Sequence, residues 1–178
     1  MRLWTIHNNQ GFSLTEGKVD HSKSEYYASI PAVREAYPKL WRHLGVDDGQ
    51  IIWCYTRTED IPVTSIPRHM WELEAPESSI LTYIDDVTWN RLLGIRVRLT
   101  PRYTEAIRED AAKKFPHDPQ ARRQHEIESE KRWWDHKPPE STLWRELFLD
   151  KPVDGSPALL RHPIQKEWIV DCRVLRCS

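Results

Sequence analysis

Eight histidines, at 7, 21, 43, 69, 117, 125, 136 and 162, are the first residues that could do chemistry. None falls in His-Glu-x-x-His or His-x-x-x-His spacing, so no helix turn offers two metal ligands. His125, Asp135 and His136 would meet only by an accident of folding, and no metal is expected. The three cysteines, Cys54, Cys172 and Cys177, are odd in number and lack Cys-x-x-Cys spacing, so neither a disulfide framework nor a zinc site is expected. They lie in apolar runs or at the end of the chain, where a reactive thiolate is not favoured. No Gly-x-Ser-x-Gly elbow is present, which removes the hydrolase readings. No Gly-x-Gly-x-x-Gly or Gly-x-x-x-x-Gly-Lys-Ser/Thr occurs, and six glycines leave little material for a phosphate-cradling loop. Three β-prone runs with polar residues remain. The first ends in His7, the second carries Trp53 and Tyr55, and the third is introduced by Gln165 and Glu167, which a period of two places on one side.

The elements that must position these residues follow from local signals. Leu3–His7 reads as a strand closed by the loop signal Asn8-Asn9-Gln10-Gly11. Between Ser24 and Leu44, Ile30, Val33, Tyr37, Leu40 and Trp41 recur at helical spacing, with Pro31 suited to a first turn, Gly45 to a C-cap and Pro38 to a kink or division. Gln50–Thr56 is a second strand, followed by a polar loop with Ile61-Pro62 and Ile66-Pro67. Met70–Ala75 and Ser79–Ile84 read as further strands, and a short helix runs from Asp85 or Asp86 to Leu93, stopped by Gly94. Ile95–Leu99 alternates, so a strand competes with a simple connector. Thr100-Pro101 and Asp118-Pro119 start helices over about 101–114 and 119–134. A short amphipathic helix behind Ser141 and a closing strand Trp168–Leu175 complete the pattern.

At 178 residues the chain is expected to form one domain, 1–178, of α+β class, a mixed and mostly antiparallel sheet with helices. With 26 Lys+Arg against 27 Asp+Glu and a formal charge of −1, it lacks the basic excess of a bulk nucleic-acid binder. No apolar stretch approaches membrane-spanning length and the opening lacks signal-peptide character, so a cytoplasmic protein is expected. Nine tryptophans are an unusual number; most should anchor the core and some could line a cleft.

Two resemblances bear on function. Leu3–His7, Ile51–Tyr55, Met70–Gly94, Leu143–Asp150 and Ile164–Leu175 together resemble a family of small bacterial proteins of unknown function that open with Leu-Trp-Thr-Ile. The Gln165-x-Glu167 entry to an apolar strand, and the Leu-Trp-Thr-Ile-His opening, are also similar to ADP-ribosyltransferases of the DNA-targeting toxin type. That resemblance implies an ADP-ribosyltransferase-like sheet split around a nicotinamide cleft, with NAD as the substrate. His7 would hydrogen-bond the adenosine side, Tyr55 would stack on nicotinamide, and Glu167 would hold the nicotinamide-ribose hydroxyl. Trp53 or Trp168 would share the aromatic platform, and Gln165 would contact an acceptor, a nucleobase or a protein side chain. The chemistry suits those residue types, because breaking the glycosidic bond develops oxocarbenium-like charge that a fixed carboxylate stabilises.

The alternative reading is a non-catalytic nucleic-acid or protein interaction module using the charged helical region 119–137. There Arg122, Arg123, Lys131 and Arg132 lie near Trp133 and Trp134, and could meet phosphates and unstacked bases. The interleaved acids point instead to a solvated helix face.

Overall fold

The computed structural model describes residues 1–7, 13–17, 19–61 and 68–175. The loop expected over 8–11, Pro62, the Ile66-Pro67 pair and Cys177 lie outside the described residues. The architecture is α+β, and the described residues group into two compact units, Met1–Asp85 with Phe148–Ser178, and Asp86–Leu147.

The first unit carries the strands. Where one sheet was expected there are two. One has the order β1 (Arg2–His7), β3 (Arg68–Glu74), β7 (Ile169–Leu175), and the other β2 (Ile51–Cys54), β6 (Ala158–Arg161), β4 (Ile80–Ile84), β5 (Phe148–Leu149). Every pairing is antiparallel. Among the described residues the two sheets meet through a single bridge between Trp4 and Tyr55, whose backbone groups exchange hydrogen bonds of 3.0 and 2.6 Å.

Strand alternation decides which side chains meet. Leu3 lies opposite Leu73, and Leu73 opposite Ile169, so these three share a face. With Ile52, Cys54 and Leu160 they build a core that Trp71 and Trp168 flank. The other face of β2 presents Trp53 toward helix α2 (Pro31–Leu44), whose Tyr37 ring lies 6.4 Å away. Val33, Tyr37, Leu40 and Trp41 form the buried stripe of α2 at i, i+4, i+7 and i+8.

Pro38 does not divide this helix in two; it sits exposed within it. The break falls at Ile30, between α1 (Glu25–Ser29) and α2, because the residue before Pro31 is pushed out of the helical region, to φ −117° and ψ 104°. Gly45 closes α2 in the left-handed region, at φ 62°.

The second unit is helical: α3 (Asp86–Leu92), α4 (Pro101–Lys114), α5 (Pro119–Asp135) and α6 (Glu140–Leu147). Ile95–Leu99 is a connector and not a strand, since no described strand pairs with it. Asp118 caps α5 by accepting the Ala121 N–H at 2.9 Å. No described helix is long and apolar enough to cross a membrane.

Candidate functional site

The single bridge between the sheets leaves a seam where β1 and β2 part, and side chains take over from the ladder there. The buried Thr5 hydroxyl donates to the Trp53 carbonyl at 2.8 Å. Its one proton is thereby used, so its 2.6 Å contact with His7 Nε2 is a bond it accepts. This fixes His7 as the Nε2–H tautomer. Burial, and after it the neighbouring His21, push the His7 pKa down from 6.5 to about 3. The ring is therefore neutral over the physiological range and serves as an oriented hydrogen-bonding group.

His21 is the second imidazole of the seam. It stands in a short 3₁₀ turn, His21–Lys23, capped by Asp20, whose carboxylate accepts from the Ser22 N–H at 3.1 Å. Its ring lies 5.1 Å from Tyr37 and 5.9 Å from Trp41. Burial lowers its pKa, only partly offset by Asp48, by the Ile51 backbone carbonyl bonded to the ring, and by Asp20. His21 Nε2 is buried without a hydrogen-bond partner among the described residues, and so is Trp41 Nε1. With the other imidazole nitrogen donating to a carbonyl, Nε2 is an acceptor, whereas an indole N–H only donates. His21 and Trp41 thus set an unanswered acceptor and an unanswered donor on neighbouring rings, and Trp4 Nε1 on β1 is a further unanswered donor among the described residues. Buried polar atoms without partners are rare and costly, by about 1–3 kcal/mol each.

The surrounding groups are kept uncharged as well. Burial, then Tyr26, raises the Tyr37 hydroxyl above its ordinary range, and burial raises the Cys54 thiol. Burial also raises the Cys172 thiol, so neither is a thiolate nucleophile. Among the described residues no group of three His, Cys, Asp or Glu is placed to hold a metal ion.

The residues expected from sequence divide into two places. His7, Trp53 and Tyr55 come together at the seam, linked by the Thr5 bond to Trp53 and the Trp4–Tyr55 bridge. Gln165 and Glu167 do not join them. They lie in a 3₁₀ turn, Lys166–Trp168, closed by the Trp168 N–H donating to the Gln165 carbonyl at 3.0 Å, and both are exposed. The period of two that placed them on one side of a strand therefore does not hold.

Register gives the separation. Ile169 shares a row with Leu73 and Leu3, whereas His7 shares one with His69 and Val174. Four strand residues separate those rows, about 13 Å, and Glu167 lies beyond the Leu3 row. Tyr55 is three strands away from β7, about 14 Å across the sheets.

Sequence reasoning missed His21, Tyr37 and Trp41. The Asp20-x-Ser22 cap was the available local signal for His21; nothing local pairs it with His7. In the second unit, the groups of region 119–137 are largely engaged internally. The Arg91 guanidinium covers the Trp133 ring at 3.9 Å, and Trp133 meets Tyr103 and Trp134 edge-on at 5.1 and 5.0 Å. Arg122 donates to the Phe115 and Pro116 carbonyls, Arg123 pairs with Glu126, and Arg132 with Ser129 and Glu128. Set against known protein families, curated proteins and solved structures, the chain matches none.

Proposed function

We propose that the chain binds NAD at the seam of β1 and β2, with its carboxamide-bearing nicotinamide ring held among His7, His21, Tyr37, Trp41 and Trp53. The observation that carries this reading is the pair of unanswered buried atoms, His21 Nε2 and Trp41 Nε1. A primary carboxamide supplies the complement of that pair, an N–H donor and a carbonyl acceptor. The flat ring of nicotinamide suits aromatic walls, and a water-excluding site strengthens each hydrogen bond made in it. Neutral imidazoles also spare the cationic ring a charge repulsion.

In the same reading the chain is an ADP-ribosyltransferase-like enzyme that transfers ADP-ribose to a nucleobase or protein acceptor. The transfer step rests on the sequence likeness alone. Glu167 would serve it only at a distance from the ring that the register makes long, so the carboxylate belongs to the acceptor side or to no step.

The test is incubation with NAD, read in two ways. Thermal stabilisation and quenching of tryptophan fluorescence by NAD, both weakened by His21→Ala, are the expected binding result. Release of nicotinamide, followed by chromatography and lost in Glu167→Gln, is the expected result for transfer. No stabilisation at saturating NAD refutes the binding reading. Release that Glu167→Gln retains removes Glu167 from the reaction.

A further inference from the structure

Strand β7 is the outer strand of its sheet: β3 lies along one side and no described strand along the other. Residues Val170 to Val174 are exposed, and both valines are 49% exposed. An open seven-residue strand with exposed apolar side chains is a template for pairing with another strand. The backbone already shows the need. The Cys172 N–H bonds to Asp171 Oδ1 at 2.8 Å, off the β3 ladder, so Cys172 turns its backbone groups to the open edge, and by alternation Val174 does too.

The order of residues names the occupant. Read outward from Cys172, the strand matches itself at the first step, acid with base at Asp171 and Arg173; beyond it a bulge at Val170 breaks the regular alternation. We propose that β7 is a self-association edge, on which a second copy of this chain pairs antiparallel about a two-fold axis at Cys172. In that register each Asp171 lies opposite Arg173 of the second copy. A two-fold interface must be self-complementary, and the centre of this strand satisfies that in charge. The two Cys172 residues exchange backbone hydrogen bonds, which releases each Asp171 carboxylate from its own strand to meet the guanidinium across the axis. An unrelated strand would have no reason to match this order, which is why a second copy is favoured over a foreign peptide.

The geometry also brings the two Cys172 Cα atoms to about 5.5 Å, with Cβ atoms wider apart than an unstrained disulfide needs but within reach of a short bis-maleimide. The bis-maleimide therefore reports the pairing: each thiol adds across one maleimide double bond, its proton going to the neighbouring ring carbon, and nothing is oxidised. The experiment is sedimentation equilibrium of the full chain over a concentration series, in a Cys177→Ser background. The mass is expected to rise from 21.2 kDa toward twice that value. Arg173→Asp sets acid against acid on both sides of the axis and should leave monomer, with the fold checked by circular dichroism. The double exchange Asp171→Arg with Arg173→Asp restores the complement and should restore the dimer. The bis-maleimide should crosslink the chain, and Cys172→Ser should abolish the crosslink. Monomer at every concentration overturns the proposal. So does a dimer indifferent to Arg173→Asp, a folded double exchange that stays monomeric, or a dimer that the bis-maleimide leaves uncrosslinked.

Discussion

Acid should weaken this fold well before its carboxylates titrate, and the seam histidines are the reason. His7 has a pKa of about 3 in the folded chain against 6.5 as its ordinary value, so between those values the unfolded chain binds a proton that the folded chain refuses. The stabilising contribution is complete above pH 6.5 and is lost as pH falls through that value toward 3. Integrated from pH 7 to pH 5, the loss is about 2 kcal/mol for His7 alone. His21, shifted in the same direction by burial, adds to it. With a urea slope on the order of 2 kcal/mol per molar, the unfolding midpoint should fall by about 1 M over that interval. The assay is urea unfolding at both pH values, followed by tryptophan fluorescence and circular dichroism, on the native chain and on His7→Gln. The glutamine keeps a donor for Thr5 and cannot titrate, so its midpoint should be markedly less sensitive to pH. Equal pH sensitivity of the two proteins would refute the assignment of a buried neutral imidazole at position 7.

Other consequences follow from single contacts. Thr5→Val removes the hydroxyl that joins His7 Nε2 to the Trp53 carbonyl and leaves both without that partner; it should cost about 1–3 kcal/mol in urea unfolding. Leu160→Ala empties a fully buried position between β2 and β4 and should cost about 2–5 kcal/mol in the same assay. Gly155 has φ +74° and a Cβ there would run into Arg57 and Asp60, so Gly155→Ala should cost about 1–2 kcal/mol and break the bidentate Arg57–Asp60 pair; thermal unfolding equal to the native chain would contradict it.

Helices α3, α4 and α5 are legible to within a residue because their punctuation is local, whereas α6 begins at Glu140, ahead of the Ser141 expected to cap it. Pro101 and Pro119 supply a preset φ at the first helical position of α4 and α5, and Asp118 adds a side-chain cap that Thr100 does not make. The sheets were less legible. Ala158–Arg161 is four residues long with its first three side chains fully buried, so it shows neither length nor alternation. Its pairing with β2 spans more than a hundred residues of sequence, and no short-range signal records that, nor that the strands divide into two sheets. The same limit governed the site. His7, Trp53 and Tyr55 could be named because each closes or occupies a β-prone run, but their neighbours arrive from α2 and the Asp20 turn, chosen by packing. For Glu167, alternation was extended past the end of β7 into a turn whose repeat is three residues.

The central claim is that the seam of β1 and β2 is a neutral, hydrogen-bonding site that accepts a carboxamide-bearing ring. The most direct measurement is a long-range ¹H–¹⁵N correlation spectrum of the histidine rings, recorded from pH 7 to pH 5 without NAD and then at saturating NAD. His7 is expected to remain the Nε2–H tautomer throughout, and the His21 Nε2 resonance to move toward that of a hydrogen-bonded acceptor when NAD is added. A His7 that titrates near 6.5, or a His21 Nε2 unmoved by NAD, would contradict it.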